Sequence, residues 1–371
     1  MFFPGVILLK GYWKAALAAV YVAGLMAFPD AALAAARGAM ANWAASVAPA
    51  LFPFAAVLPF LTCKEAREIY DRLLGWLLRG VFRLPGSCAS ALVTGLLGGS
   101  PAGAMAVGRV AAEVGLTRGQ AARLAGISCG MGPVYVVSAL GVALKGSAGV
   151  GYRLLAAQWG GMFLTGLLFR RAWAGETAPW TGVPSANEAH PIAGAALAML
   201  KVCGYMTLFS VGMAMARAAG PWVEFVSPFL ELPTGAAFWA ERGLQEWILA
   251  GALGFGGCCV ILQNAAFGVP LGRYVLQKTV TAALAAGIYL LLERAFPGDV
   301  PTFSGDSAEK QGLVWVICML PVAVFFLKNL FLNNSNSRDF REKTAKNRNI
   351  YHNMQDINHN ILCVKFFAEN P

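Results

Sequence analysis

The sequence has few charged side chains and almost none in its long apolar segments. Charged residues make up 13% of the chain, whereas 57% are hydrophobic. Lys145 is the only charge within 124–150, and Glu246 is the only one within 243–272. An apolar segment of about 20 residues can cross a bilayer core of roughly 30 Å as a helix. The composition therefore predicts an all-α polytopic membrane protein.

Histidines and metal-type cysteine pairs are also scarce. The three histidines stand in polar segments, at positions 190, 352 and 359. The eight cysteines have no C-x-x-C spacing, and they stand at 63, 88, 129, 203, 258, 259, 318 and 363. Neither a metal centre, a Ser-His-Asp set nor a nucleotide-binding lysine loop can be assembled in the apolar segments. We expect no enzyme activity, no metal and no cofactor; the coupling ion, if one is used, is not identified.

The net charge of +10 is compatible with a membrane protein and does not require a nucleic-acid partner. Most basic residues lie in short segments beside the apolar runs, where Lys and Arg favour the cytoplasmic side of a membrane. We therefore expect the lipid bilayer as a partner and no nucleic acid. A homo-oligomer stays open.

Seven apolar segments are candidate membrane spans. They cover residues 14–34, 44–62, 124–144, 150–169, 193–217, 274–293 and 312–332. Between the second and third, the amphipathic segment 64–83 predicts a helix in the membrane interface. Both 64–83 and 109–123 are rich in basic residues and should face the cytoplasm. The apolar stretch between them should then enter the membrane and return on the same side.

Two glycine-rich stretches occur at matching places in the two halves, each after a Leu-Pro pair at 84–85 or 232–233. Gly and Pro interrupt helices, and paired broken helices are typical of the binding site of a transporter. We predict re-entrant helical hairpins at about 86–108 and 243–270. They should enter from opposite faces, forming an inverted repeat, with tips that meet near the midplane.

The predicted organisation has six parts. They are an N-terminal span (1–43), a first repeat with its hairpin (44–170), a loop (171–192), a second repeat with its hairpin (193–293), a final span (294–332) and a tail (333–371). The tail contains nine Asn and no Gly, against four Asn in the first 332 residues. Its polar composition predicts disorder, and a reading-frame artefact is an alternative explanation.

Polar side chains at membrane depth concentrate around the predicted breaks. Half-helix N-termini present unpaired N–H groups there, which suit an anionic solute. Amide side chains add donors and acceptors. The candidate substrate-binding residues are Gly98, Gly99, Ser100, Pro101, Ser128, Gly130, Gly132, Pro133, Gly256, Gly257, Gln263 and Asn264. The alternative is that the glycines merely allow close helix packing.

Several motifs together resemble one known family. They are Leu-Phe-Pro-Phe at 51–54, Phe-Arg-Leu-Pro-Gly at 82–86, Gly-Gly-Ser-Pro-Ala-Gly-Ala at 98–104 and Gly-Met-Gly-Pro at 130–133. In these motifs the chain resembles the sporulation integral membrane protein family YlbJ, also called SpoVV. The resemblance covers roughly residues 45–293. That family belongs to the nucleoside-recognition or Gate domain group, whose fold is similar to concentrative nucleoside transporters.

The resemblance implies a nucleoside-transporter-like fold and a location in the outer membrane of the forespore. It also implies transport of dipicolinic acid from the mother cell toward the forespore. A scaffold for spore-envelope formation, a nucleoside transporter and a divergent carrier of another solute stay open as alternatives. For a dianionic solute, Arg109 and Arg123 on the basic flank are candidate steering charges, although ordinary positive-inside arginines would look the same.

Overall fold

The computed structural model describes residues 5–181, 191–220, 223–241, 243 and 245–295, and within these ranges the protein is helical without strands. All of them belong to one of the two units into which the chain divides, Met1–Thr302. The second unit, Phe303–Pro371, lies outside the described residues, as do the predicted span at 312–332 and the tail. The all-α prediction is confirmed.

The described chain contains fourteen α-helices. They are α1 Gly5–Ala27, α2 Pro29–Asn42, α3 Ala48–Leu61, α4 Lys64–Leu77, α5 Ala89–Gly98, α6 Ala102–Val114, α7 Arg118–Ser128, α8 Ala148–Leu168, α9 Pro191–Ala219, α10 Val223–Leu230, α11 Leu232–Glu241, α12 Glu246–Phe255, α13 Cys258–Ala266 and α14 Leu271–Ala295. A π-helix, Tyr135–Leu144, lies between α7 and α8, and shorter π segments precede α3 and follow α4.

Three helical stretches are long and apolar enough to cross a membrane: Pro191–Ala219, Glu246–Ala266 and Leu271–Ala295. Two sharply bent pairs raise that number to five if each pair is counted as one span. The predicted span at 14–34 is not one continuous helix. It consists of parts of two helices that meet at Phe28 with a bend of 103°. Pro29 starts the second helix, and a proline is tolerated in that first turn but not in a helix interior.

The first predicted hairpin is confirmed. α5 and α6 fold back on each other around the tip 99–101. A Cβ added at Gly103 would lie 2.9 Å from the Cα of Gly95, so the two arms touch backbone to backbone. Arg67 on α4 pairs with Glu113 at the end of α6. The two basic flanks therefore lie together, as a stretch that enters and returns requires.

The second predicted hairpin, at 243–270, is wrong in position. α12 and α13 form one apolar stretch, Glu246–Ala266, that is broken at Gly256 and Gly257 but not folded back. The second hairpin lies earlier in the chain and consists of α10 and α11. There a Cβ at Gly235 would overlap the backbone at Pro228, seven residues earlier in the chain. A continuous helix would hold these two residues about 10 Å apart, so the chain must reverse sharply between them, at Glu231.

Each half then repeats one order of elements: a short hairpin, a broken helix and a returning helix. In the first half, α7 and the π-helix are separated by the first break, residues 129–132, and α8 returns alongside them. In the second half, α12 and α13 are separated by the second break, Gly256 and Gly257, and α14 returns. Whether the two hairpins enter from opposite faces stays a prediction, as do the six-part division and the nucleoside-transporter likeness.

Small residues bring the two returning helices into close contact. A Cβ at Gly161 of α8 would lie 3.1 Å from the carbonyl oxygen of Thr281 on α14. The hydroxyls of Thr165 and Thr281 are hydrogen-bonded at 2.9 Å in this buried interface. Such small and hydroxyl side chains hold membrane helices together, where lipid supplies no hydrophobic driving force between them. The helices that follow the two breaks, α8 and α14, are therefore closely packed against each other.

Candidate solute site between the two breaks

The tip of the first hairpin is joined to the first break through backbone atoms. The N–H of Ser100 donates to the carbonyl oxygen of Gly130 at 2.7 Å. Gly99 has φ +67°, and a Cβ there would lie 2.7 Å from the Cα of Gly132. Because no side chain separates the two segments, the tip and the break form one surface. We call this contact the first junction.

A line of polar groups runs from the first junction to the second half of the chain. The side-chain amide of Asn264 on α13 donates to Ser100 Oγ at 3.2 Å and to the Tyr274 hydroxyl at 2.9 Å. That hydroxyl donates to the carbonyl oxygen of Cys129 at 3.2 Å. Ser100 and Asn264, 164 residues apart, are thus brought together as the predicted site requires.

Lys278 places a positive charge beside both breaks. Its side chain is 1% exposed, and Nζ donates to the Cys129 carbonyl oxygen at 3.2 Å. Nζ also lies 3.7 Å from the position that a Cβ of Gly256 would occupy. Within the described residues, no carboxylate forms an ion pair with it. An ammonium without a counter-ion at this depth is costly and points to a functional role.

The second break adds helix N-terminal N–H groups near this lysine. α13 begins at Cys258, directly after Gly257, and its first intrahelical bond to Gly257 comes from the N–H of Ile261. The N–H groups of the preceding turn therefore lack intrahelical acceptors. Together with the ammonium, they are donors beside the second break that an anionic group could use.

The second hairpin contacts the second break, in a second junction. A Cβ at Gly257 would lie 3.5 Å from the carbonyl oxygen of Leu230 and from the nitrogen of Leu232. Glu231, the tip residue between them, is 3% exposed, and its carboxylate accepts the N–H of Thr234 at 2.8 Å. A buried carboxylate therefore lies at this junction, whereas the first junction has the lysine.

Other predicted site residues have different surroundings. Ser128 is fully buried, and its Oγ has no hydrogen-bond partner among the described residues. Its carbonyl oxygen lies 2.7 Å from the position that a Cβ of Gly103 would occupy. Gln263 donates to Cys259 Sγ at 3.3 Å, within its own helix. Pro101 and Pro133 are buried next to the tip and the first break. The carbonyl oxygen of Gly98 lies 3.4 Å from the position that a Cβ of Gly132 would occupy.

The two candidate steering arginines both have partners on the protein. Arg109 pairs with Glu113 at 2.9 Å, one helical turn further along α6. Arg123 is 5% exposed and donates to the carbonyl oxygen of Arg170. A buried, hydrogen-bonded guanidinium cannot present its charge to a solute in water. The steering role is therefore wrong for Arg123, and Arg109 stays a weaker prediction.

Sequence reasoning missed three residues near the breaks. Lys278 is the only charged residue within 274–292, and Tyr274 stands four positions before it. On a helix, this spacing puts both on one face, so a lone lysine in an apolar span was the available signal. The side-chain amide of Gln158 forms two hydrogen bonds with the first break. Its oxygen accepts the N–H of Met131 at 3.1 Å, and its nitrogen donates to the carbonyl oxygen of Met131 at 2.9 Å. Its position in the middle of α8 gave no such signal.

Comparison with known proteins gives one informative similarity. No protein-family model matches the chain, and no solved structure does. The chain is 29% identical over 148 residues to the sporulation integral membrane protein YlbJ of Bacillus subtilis (strain 168). The match covers 40% of this chain and 36% of that relative. The similarity supports the resemblance to this family and, with the apolar helices, a multi-pass membrane protein.

Proposed function

We propose that this protein is a membrane carrier for a small anionic solute, which binds between the two breaks. The observation that carries the proposal is the ammonium of Lys278, buried without a carboxylate partner among the described residues. A carboxylate of the solute would replace the Cys129 carbonyl as its partner. The exchange turns a hydrogen bond between an ammonium and a neutral carbonyl into an ion pair between opposite charges.

The surrounding groups suit a solute with more than one carboxylate. Asn264 and Ser100 supply neutral donors, and the first turn of α13 supplies N–H groups. These groups stabilise a second negative charge without burying a second cation. Dipicolinate, with two carboxylates flanking a ring nitrogen, is the first solute to test. Its export during sporulation is the role that similarity to a sporulation membrane protein favours.

The proposal includes no chemical step. Among the described residues, no group of three or more His, Cys, Asp or Glu could hold a metal ion. A carrier needs only a site that opens alternately to either side, and broken helices at midplane are typical of such sites. We therefore propose a transporter rather than an enzyme, located in the outer forespore membrane of a sporulating cell.

The test measures binding and flux with the full chain. Purified protein is titrated with dipicolinate, and proteoliposomes are loaded with it for exchange. Lys278→Gln should weaken dipicolinate binding on the order of a hundredfold, because it removes a buried charge pair. Lys278→Arg should keep part of the affinity. Lys64→Gln, which removes an exposed lysine of α4, is the matched control and should bind normally.

Three outcomes would contradict this proposal. Normal affinity in Lys278→Gln would remove the lysine from the site. Binding of uncharged nucleosides with none of dipicolinate would favour nucleoside transport instead. Absence of both binding and flux in the wild type would favour a scaffold role in spore-envelope formation.

A further inference from the structure

The second junction contains an ionisable group that anion binding does not use. Glu231 lies at the tip of the second hairpin, and its neighbours Leu230 and Leu232 contact the second break at Gly257. Gly257 is the twelfth residue of the 21-residue apolar stretch Glu246–Ala266. Glu231 therefore lies beside the middle of an apolar stretch that is long enough to cross a membrane. Lys278, which contacts Gly256, lies at a similar depth.

The surroundings of Glu231 do not neutralise a negative charge. Among the described residues, its carboxylate forms no ion pair and accepts hydrogen bonds from the N–H and the side chain of Thr234. In the part of the chain that the structure describes, the ionisable groups near enough to sense its charge include the phenol of Tyr135 on the π-helix and the thiol of Cys259 on α13, neither of which supplies a positive charge. An unpaired carboxylate at this depth costs free energy, which binding of a cation relieves.

The geometry favours a proton over a metal ion. A sodium or other hard cation needs several oxygen ligands around it. One oxygen of Glu231 is already occupied by a backbone N–H, and Cys259 presents sulfur. A proton needs only the carboxylate itself. It would be released or taken up as the tip separates from the break and water reaches the hairpin.

We propose that Glu231 is the proton-coupling site of the carrier, so that the solute anion and a proton cross the membrane together. This inference rests on the proposed function for its transport part. The anion binds at Lys278 beside the first junction, and the proton binds at Glu231 in the second. Co-transport lowers the net charge that crosses the apolar core. No bond other than that between the proton and the carboxylate oxygen forms or breaks.

The transport test uses proteoliposomes with the membrane potential clamped to zero and the outside one pH unit more acidic. One proton moving with each solute should then accumulate dipicolinate about tenfold inside. Glu231→Gln should equilibrate dipicolinate without accumulating it, while exchange across the membrane continues. Gln keeps an acceptor for the N–H of Thr234, so the hairpin should still fold. Glu68→Gln, an exposed carboxylate on α4, is the control and should accumulate normally.

Accumulation by Glu231→Gln equal to the wild type would overturn the proposal, as would accumulation driven by a sodium gradient alone. If the wild type moves no dipicolinate, the proposed function fails and a second measurement decides about Glu231. Infrared difference spectra of the solute-free protein should show a buried carboxyl group gaining a proton on acidification. That band should be missing in Glu231→Gln and present in Glu68→Gln. A spectrum unchanged by Glu231→Gln would exclude the residue as a proton site.

Discussion

The two junctions repeat one arrangement, a hairpin tip packed against a helix break. They differ in whether a side chain would fit at the junction glycine and in the charged residue that lies nearby. In the first, Gly99 meets the backbone of Gly132 so closely that a side chain cannot fit. In the second, a Cβ added at Gly257 would lie at ordinary contact distance, 3.5 Å, from the backbone of Leu230 and Leu232. A lysine adjoins the first and a glutamate the second. The comparison shows that the two halves repeat one contact between a hairpin tip and a break while placing opposite charges beside it, and our two proposals rest on this difference.

The largest expected effect comes from filling the first junction. Gly99→Val should destabilise the protein by about 3–5 kcal/mol, because it combines overlap with backbone and a left-handed φ of +67°. Uptake should be lost, while the apolar helices still insert. Thermal unfolding of the purified protein and flux measure the two effects. Wild-type unfolding and uptake in this variant would show that the tip and the break are not held together.

A smaller effect is expected at the second junction. Gly257→Ala places an alanine at φ +80° and ψ 145°, a backbone conformation adopted almost only by glycine, without backbone overlap. Its cost should be about 1–3 kcal/mol, the strain of that conformation alone. The same thermal unfolding measurement on Gly99→Ala provides the matched comparison and should show a clearly larger loss. Equal losses of thermal stability in the two variants would show that the two junctions do not differ in how well they accept a side chain.

The smallest effect concerns an ion pair that links the two halves of the chain. Arg273 of α14 donates to Glu176 at 2.7 Å, and the N–H of Gly119 donates to the same carboxylate. The Arg273 hydrogen bond chiefly lowers the pKa of Glu176, against a smaller opposing effect of burial. A carboxylate whose folded pKa is lowered stabilises the protein above its unfolded pKa, and this contribution is lost as the pH falls through the folded value.

Glu176→Gln should therefore lower the melting temperature slightly at about pH 7, and this difference should shrink as the pH falls below the ordinary glutamate pKa and through the lowered folded value. The pair is partly exposed, so added salt should shrink the difference. Glu68→Gln serves as the control without this partner. A melting-temperature difference that persists at low pH would mean that Glu176 acts through packing rather than charge.

Local signals explain which parts of the site could be predicted. The breaks follow from Gly and Pro, because these residues interrupt helices wherever they stand, and Gly99, Gly130 and Gly257 were identified on that basis. Basic flanks likewise indicated that the first hairpin returns on its own side. The second hairpin was misplaced because its reversal at Glu231 involves no glycine pair. It depends on the close approach of Gly235 to Pro228, which is a tertiary contact.

The sequence by itself determined the class of the molecule. Long apolar segments with few charges must form helices that satisfy their own backbone hydrogen bonds in lipid, and glycines set where those helices break. Only the tertiary structure decided which break meets which hairpin and that Asn264 reaches Ser100. It alone placed the ammonium of Lys278 against the carbonyl oxygen of Cys129, 149 residues away in sequence. Such pairings depend on how the helices pack in three dimensions, and local composition does not encode the distance between remote segments.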